Sequence, residues 1–233
     1  MFFSAHHNHH FKAYSFEHIF MIGVLLAGLA VIFVYRLFFR RHEDAFIRTA
    51  LLLLIAFEAG YHSWLIWDHS WKLSTSLPLE LCDINMYICI LLLYTKRFLL
   101  FEILYFNGIG GELQAILTPA LSFSFPHFRF FHFFFVHSIV IWSIAFFVFV
   151  KQYPVYVRSI WKAYVFLHIA AGVAFIVNKL TGGNYMFLVH KPRSQSLLDL
   201  LGPYPWYLLS LEGVTIVIFF LLWLPFRRRE RIM

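Results

Sequence analysis

The chain has 233 residues, of which 61% are hydrophobic, 21% are aromatic and only 13% are charged. Soluble domains carry about 25% charged residues, so this chain has too few polar groups to cover a water-soluble globule. The formal net charge of +7 does not indicate a nucleic-acid partner, because the basic residues form short clusters between apolar runs. Composition therefore predicts a multi-pass integral membrane protein.

Seven apolar segments follow one another along the chain, and each is long enough to cross a bilayer as a helix. We therefore predict one all-α domain over residues 1–233 with seven transmembrane helices. A tail of residues 1–17 precedes the spans and a basic tail of residues 227–233 follows them. The predicted spans are residues 18–38, 46–68, 78–95, 98–117, 129–150, 158–180 and 204–226.

The basic residues predict the orientation of these spans. Placed on alternate sides, 13 of the 19 Lys and Arg residues fall on one side, in clusters near residues 36–48, 96–97, 151–162 and 227–231. Lys and Arg accumulate on the cytoplasmic side of membrane proteins, so we expect the N-terminus outside and the C-terminus inside. We interpret His6, His7, His9 and His10 as part of a polar outer tail rather than as a metal site.

The third span contains a candidate nucleophile. Pro78 suits the first turn of a helix and Ser76 suits its N-cap, which places Cys82 near the positive end of the helix dipole. A cysteine becomes a good nucleophile when a base, usually His, removes its proton. The alternative is that Cys82 is a small apolar filler, as we expect for Cys89.

Candidate bases lie at the start of the fifth span, at His127, His132 and His137. His132 and His137 are five residues apart, about 140° around a helix, so we expect only one of them to face a given pocket. His137 lies deeper in the span, and an imidazole buried there needs a polar partner. We therefore predict His137 as the base.

Polar residues of five spans fall at similar depths. At about 1.5 Å per residue, they lie about 6–12 Å below the outer ends of their helices, with one more near the midplane. Such residues predict a functional cavity in the outer half of the membrane, although interhelical hydrogen bonding alone is the alternative. The shallower group is His62, Cys82, Asp83, Glu112, His137 and Glu212, and the residue near the midplane is Glu58.

Two further segments have unusual composition for a membrane protein. Gly108, Gly110 and Gly111 in the fourth span suggest a kink, a close helix contact or backbone groups left free for a substrate. The last outer loop, which includes Asn184 and residues 197–203, is too apolar for a solvated linker. We expect this loop to cap or re-enter the membrane.

Two seven-helix classes fit poorly. A retinal protein requires a buried Lys in its last span, and residues 204–226 contain none. Zinc-dependent lipid hydrolases carry an HxxxH pair in a late span, and no such pair follows His137. We therefore predict no cofactor and no metal ligands, with zinc as a minor alternative.

Short motifs spread over nearly the whole chain occur in one order. They are Ser15 with His18, residues 77–83, Glu102 with residues 105–106, 110–114 and 118–119, residues 125–130 with His137, residues 184–186 with 191–192, and residues 197–203 with 206–207. In these motifs the chain resembles the YwaF family of bacterial integral membrane proteins. The animal relative of that family is the intramembrane acyltransferase transmembrane protein one-six-four, and androgen-induced-type membrane hydrolases, which use a Thr in place of the Cys, are more remotely similar.

The resemblance implies an intramembrane lipid acyltransferase of a bacterial plasma membrane, with membrane phospholipids as acyl donor and acceptor. Its Cys and His correspond to Cys82 and His137, which would carry the acyl chain as a thioester and move the proton. We expect Asp83 or Glu112 to orient His137, and Asn184 or a free backbone amide to stabilise the oxyanion. His62, Glu58 and Glu212 are further supporting candidates. The alternatives are a Cys/His lipid-ester hydrolase and a non-enzymatic lipid transporter or binding protein.

Overall fold

The structure is a computed structural model that describes residues 2–3, 11–192 and 197–227. The predicted histidine tail, with His6, His7, His9 and His10, lies outside these residues. So does the basic tail beyond Arg227. All statements below concern the described residues.

Eight α-helices and three short 3₁₀ segments make up the described fold, which contains no strand there, so the all-α prediction is confirmed. Helices occupy all seven predicted segments, and the short α2 is the one helix that was not predicted. The helices are α1 (Phe16–Val34), α2 (Arg36–Arg41), α3 (Glu43–Trp67), α4 (Leu81–Thr95), α5 (Phe98–Leu117), α6 (Phe128–Phe149), α7 (Val157–Thr181) and α8 (Trp206–Trp223). The 3₁₀ segments are Tyr185–Phe187, Leu197–Leu201 and Leu224–Phe226.

Five of the described helices are long and apolar enough to cross a membrane: α1, α3, α6, α7 and α8 with its 3₁₀ extension to Phe226. The helix α4 has only 15 residues, and α5 carries Glu102 and Glu112 within its 20 residues. The chain is thus a membrane protein, and length and composition support five of the seven predicted spans.

The helices α5 and α6 form the centre of the bundle. Helix α5 packs against α4, α6, α7 and α8, while α6 also contacts α1, α3 and α4. At one end, Glu43 pairs with both Lys96 and Lys151, and we call this the basic end. At the other, which we call the pocket end, α4 and α6 begin.

Helix α4 begins deeper than the sequence predicted. Its first residue is Leu81 and its N-cap is Glu80, whereas Ser76 Oγ accepts a hydrogen bond from the Lys72 N–H in a separate turn. The prediction of a helix starting near Pro78 with Ser76 as N-cap was therefore wrong. Residues 70–80, the descending segment, enter the bundle without helical structure, which is stable at this depth only where protein surrounds the backbone or a cavity adjoins it.

Contacts with the loop after α7 hold the descending segment in place. Tyr185 Oη donates to the Leu73 carbonyl and accepts from the Leu77 N–H, and Glu80 Oε2 accepts from the Met186 N–H. Asn178 in turn binds the Tyr185 backbone through both its amide nitrogen and its oxygen. These long-range bonds tie the descending segment to the loop after α7 and satisfy backbone groups of both.

Helix α5 runs without interruption through its glycines, so close packing explains them better than a kink. A Cβ atom at Gly111 would lie 3.2 Å from Leu81 Cδ2 and 3.3 Å from Asn85 Nδ2. The missing side chain therefore lets the start of α4 approach α5 closely, which brings Cys82 beside Glu112.

Candidate active site

A cavity of about 570 Å³ lies between the descending segment and helices α3 to α8. Its wall toward α3, α6 and the start of α4 is polar, whereas its wall toward α7 and α8 is mainly apolar. The polar wall includes Glu58, Tyr61, His62, Cys82, Asp83, Arg129, His132 and His137, and the opposite wall includes Leu167, Ala171, Leu208, Leu211, Glu212, Thr215, Ile218 and Phe219. Leu188, Pro192 and Leu198 close the cavity from the last loop, as expected for a capping loop.

Three side chains from three helices meet beside this cavity, which Cys82 and His137 line and behind which Glu112 is fully buried. Cys82 Sγ, a carboxylate oxygen of Glu112 and a ring nitrogen of His137 all lie within 4.8 Å of one another. Cys82 is the second residue of α4, while His137 is the tenth residue of α6, about 13 Å along the helix axis from its start. The descent of residues 70–80 therefore brings the cysteine level with the histidine.

The hydrogen bonds of His137 define its tautomer. Its Nδ1 lies 2.6 Å from the Phe133 carbonyl oxygen, which can only accept, so Nδ1 carries the hydrogen. The lone pair of the neutral imidazole is then on Nε2, which has no hydrogen-bond partner in the described structure. The Phe133 carbonyl thus holds the ring through Nδ1, whereas neither Asp83 nor Glu112, the predicted orienting residues, forms a hydrogen bond with it.

Glu112 lies on the Nε2 side of the imidazole. Its Oε2 is 3.6 Å from His137 Nε2, and its Oε1 accepts a hydrogen bond of 3.1 Å from Asn85 Nδ2. The same Asn85 nitrogen also donates to the Asn107 carbonyl. Sequence reasoning missed Asn85 as a site residue, although its position three residues after Cys82 on one helix face was an available signal.

Glu58 and His62 form a second polar group on α3. His62 Nε2 and Tyr87 Oη both donate to Glu58 Oε1, at 3.0 and 2.9 Å. Both predicted residues line the cavity, and Asp83 lines it next to Cys82. Sequence reasoning did not single out Tyr87, which joins α4 to this group.

The expectation that only one of His132 and His137 faces the pocket was wrong, because both line the cavity. The cavity is wide enough to extend from one face of α6 to the next. Arg129 Nη1 donates to His132 Nδ1 at 2.6 Å, so the His132 hydrogen is on Nε2. The Arg129 guanidinium also lies over the Tyr61 ring, 4.1 Å from the ring centroid.

Two predicted supporting residues have their hydrogen-bond and ion-pair partners outside the Cys82 cluster. Asn184 Oδ1 accepts from the Val189 and His190 N–H groups, and its amide donates to the His190 carbonyl, so this side chain organises its own loop. Glu212 reaches the cavity from α8 and joins α8 to α7 through Tyr164 Oη at 2.8 Å and His168 Nε2 at 3.2 Å.

The Cys82, Glu112 and His137 cluster also has the composition of a metal site. Thiolate sulfur, imidazole nitrogen and carboxylate oxygen are all zinc ligands, and catalytic zinc centres use three protein ligands with one open position. These three residues are therefore the set that would hold a metal in the described part of the chain.

The fold and the cavity define a helical membrane protein with a Cys, His and Glu cluster at the wall of an amphipathic pocket. A sequence model of the TMEM164 family matches residues 13–223, which is nearly the whole chain. The chain therefore belongs to the TMEM164 family. Comparisons with curated proteins and with solved structures found no match.

Proposed function

We propose that the protein is an intramembrane lipid acyltransferase that uses Cys82 as nucleophile and His137 as general base. The observation that carries this proposal is the meeting of Cys82 with His137, within 4.8 Å, at the wall of the cavity. Because Nδ1 of His137 is occupied by the Phe133 carbonyl, Nε2 is free to accept a proton.

In the first half-reaction, His137 Nε2 takes the thiol proton of Cys82 as Sγ attacks the ester carbonyl carbon of a donor lipid. The carbon–sulfur bond forms, the carbon–oxygen ester bond breaks, and the departing lipid alkoxide takes the proton from the imidazolium. A thioester on Cys82 and a lysolipid result. In the second half-reaction, Nε2 deprotonates the hydroxyl of an acceptor lipid, which attacks the thioester, and the thiolate recovers the proton.

The start of α4 supplies donors for the oxyanion of each tetrahedral intermediate. The first N–H groups of a helix have no intrahelical acceptor, and Cys82 is the second residue of α4. Backbone N–H groups beside a nucleophile are the usual means of stabilising such an oxyanion. This role replaces the one predicted for Asn184, whose amide is engaged in its own loop.

The shape of the cavity supports membrane phospholipids as donor and acceptor. The mainly apolar wall of α7 and α8 suits acyl chains, whereas the polar wall of α3 and α6 suits a headgroup. A transport function is less well supported, because the acidic Glu102 near the basic end is bonded to Lys162 and Ser159 rather than open to a pathway. We place the protein in a bacterial plasma membrane.

The proposal predicts a covalent acyl-enzyme. Purified full-length protein incubated with a phospholipid labelled in its acyl chain should acquire label that survives denaturation. Neutral hydroxylamine should release this label, because it cleaves thioesters much faster than oxygen esters. Label resistant to hydroxylamine, or no label under conditions of turnover, would contradict the thioester mechanism.

The identity of the acyl acceptor, lysophospholipid or water, distinguishes a transferase from a hydrolase. After excess donor is removed, added lysophospholipid should discharge the labelled protein and appear as labelled diacyl phospholipid. Release of free fatty acid at the same rate with and without lysophospholipid would identify water as the acceptor and the protein as a hydrolase.

A zinc-dependent lipid hydrolase is the second candidate, favoured by the composition of the Cys82, Glu112 and His137 cluster. Such an enzyme would activate water directly and form no acyl-enzyme. In the same labelling experiment, a chelator should leave the thioester unchanged if Cys82 is the nucleophile. Loss of turnover with chelator and recovery with zinc would favour the metal mechanism.

We also propose that all seven predicted segments span the membrane, with the pocket end outside and the basic end in the cytoplasm. The packing of α4 and α5 within the bundle and the positive-inside bias support this arrangement. Residues Lys72 and Arg97 lie in exposed connections at opposite ends and suit a direct test.

A membrane-impermeant maleimide applied to intact cells should label Lys72→Cys and leave Arg97→Cys unlabelled. Permeabilised cells should show labelling of both variants, and the unsubstituted chain gives the background from Cys82 and Cys89. Labelling of Arg97→Cys in intact cells, without labelling of Lys72→Cys, would reverse the orientation.

A further inference from the structure

Arg129 has no role in the chemistry proposed above, yet it holds an unusual position. Among the described residues that line the cavity, it is the only Lys or Arg. No Asp or Glu of the described chain forms an ion pair with it. Its positive charge instead rests on the Tyr61 ring and on the neutral His132 imidazole. Asp83 acts electrostatically on this guanidinium but forms no salt bridge with it, so the guanidinium can still donate to an anion in the cavity.

His132 provides a second donor at the same place. Since its Nδ1 accepts from Arg129, its Nε2 carries a hydrogen, and this nitrogen has no hydrogen-bond partner in the described structure. The residue is 6% exposed and lines the cavity. A buried N–H group without an acceptor costs free energy. A ligand oxygen in the cavity would supply the acceptor that His132 Nε2 lacks.

The neighbouring carboxylate does not satisfy this pair of donors. Glu58 Oε2 is 3.8 Å from His132 Nε2, which is too long for a hydrogen bond, and Glu58 Oε1 already accepts from His62 and Tyr87. Asp83 lines the same cavity and gives this side mixed charge, as a wall that receives a headgroup with both phosphate and amine would have.

We propose that Arg129 and His132 bind the phosphate of a glycerophospholipid and thereby position its ester at Cys82. This assignment rests on the proposed function, because it describes the headgroup of the same lipid substrate. His132 and His137 are five residues apart on α6, about 7.5 Å along the helix axis. That separation suits the few covalent bonds between the ester carbonyl and the phosphorus of a glycerophospholipid.

The test measures binding rather than turnover, so that it does not depend on Cys82 chemistry. The probes are a short-chain diether phosphatidylcholine, which has no ester to attack, the diether glycerol with the same chains, and glycerophosphocholine, which has no chains. Calorimetry on the purified full-length protein gives each affinity. The variants are Arg129→Gln and Arg129→Lys. The control is Arg158→Gln, since Arg158 also stacks on a tyrosine, Tyr156, but lies at the basic end outside the cavity.

We expect Arg129→Gln to weaken binding of the diether phospholipid by about 10- to 100-fold, the usual effect of losing a charge-assisted hydrogen bond. Arg129→Lys should lose less, and binding of the diether glycerol should not change in either variant. Arg158→Gln should bind all three probes like the unsubstituted protein.

Equal losses for the phospholipid and the diether glycerol would overturn the proposal, because they would indicate a structural role. Glycerophosphocholine binding as tightly as the phospholipid would overturn the assignment to a lipid. This binding test is independent of the acyl-enzyme experiment. Even if no acyl-enzyme forms, Cys82→Ala protein should still bind the diether phospholipid more tightly than the diether glycerol, and this preference should depend on Arg129. That combination of results would support the headgroup site and refute the acyl-transfer mechanism.

Discussion

Cys82→Ala should abolish acyl transfer and remove the covalent label. Without Sγ there is no atom at this position to form the thioester, and deleting an enzyme nucleophile typically costs about 1,000-fold or more in turnover. Cys82→Ser should lose almost as much and trap any residual acyl group as an oxygen ester that resists neutral hydroxylamine. Initial rates of label transfer from donor to lysophospholipid, together with protein-bound label, measure both effects.

Cys89→Ala is the matched control for this experiment. Cys89 lies two turns further along α4 and is fully buried in the apolar core, away from the cavity lining. Its replacement should retain the label and most of the activity, with at most a modest loss of thermal stability from the lost sulfur atom. Label that survives in Cys82→Ala and disappears in Cys89→Ala would identify Cys89 as the nucleophile and refute the proposed site.

His137→Gln should lower the rate of Cys82 acylation by about 100- to 10,000-fold, the usual contribution of a positioned general base. Glutamine keeps much of the side-chain volume but cannot take up the thiol proton. The residual acylation should rise steeply with pH, because hydroxide then removes the proton that Nε2 removes in the unsubstituted protein. Single-turnover acylation measured across a pH series gives both the loss and the altered profile.

His42→Gln is the control for this second experiment. His42 Nδ1 bonds the carbonyl four residues earlier, at Phe38, just as His137 Nδ1 bonds Phe133, but it lies exposed near the basic end. Its substitution should leave the rate and pH profile unchanged. A pH profile in His137→Gln that is parallel to that of the unsubstituted protein, with only reduced amplitude, would indicate misfolding rather than loss of a base.

Several features of the site could be predicted from the sequence. The positions of the helices follow from apolar runs, and all seven predicted segments are helical in the structure. Polar residues are scarce within these runs, so each polar residue there could be identified as a candidate for the site. Rise per residue alone placed Cys82, Glu112 and His137 at similar depths, and these three side chains meet. Periodicity and depth are local properties, so one chain is sufficient to estimate them.

The errors arose where long-range contacts replace local preferences. Local capping rules placed the start of the third span near Pro78, but the descending segment, bonded to Tyr185 and Met186, stays non-helical until Leu81. Helical angle alone separated His132 from His137, but the width of the cavity brings both to its wall. The sequence predicted that a carboxylate would orient His137, but the Phe133 backbone carbonyl binds its Nδ1. Every residue has a backbone carbonyl, so residue type could not single this one out.

The sequence by itself determined that this chain is a helical membrane protein, that its helices lie in seven apolar segments, and that Cys82 and His137 are candidates at one depth. Those conclusions depend only on composition, periodicity and rise per residue. Tertiary structure decided which polar groups face each other around the bundle, which nitrogen of His137 is free, and that Arg129 lines the cavity without a salt bridge to a described carboxylate. The physical reason is that rotation about a helix axis and the path of a non-helical segment depend on packing between elements distant in sequence.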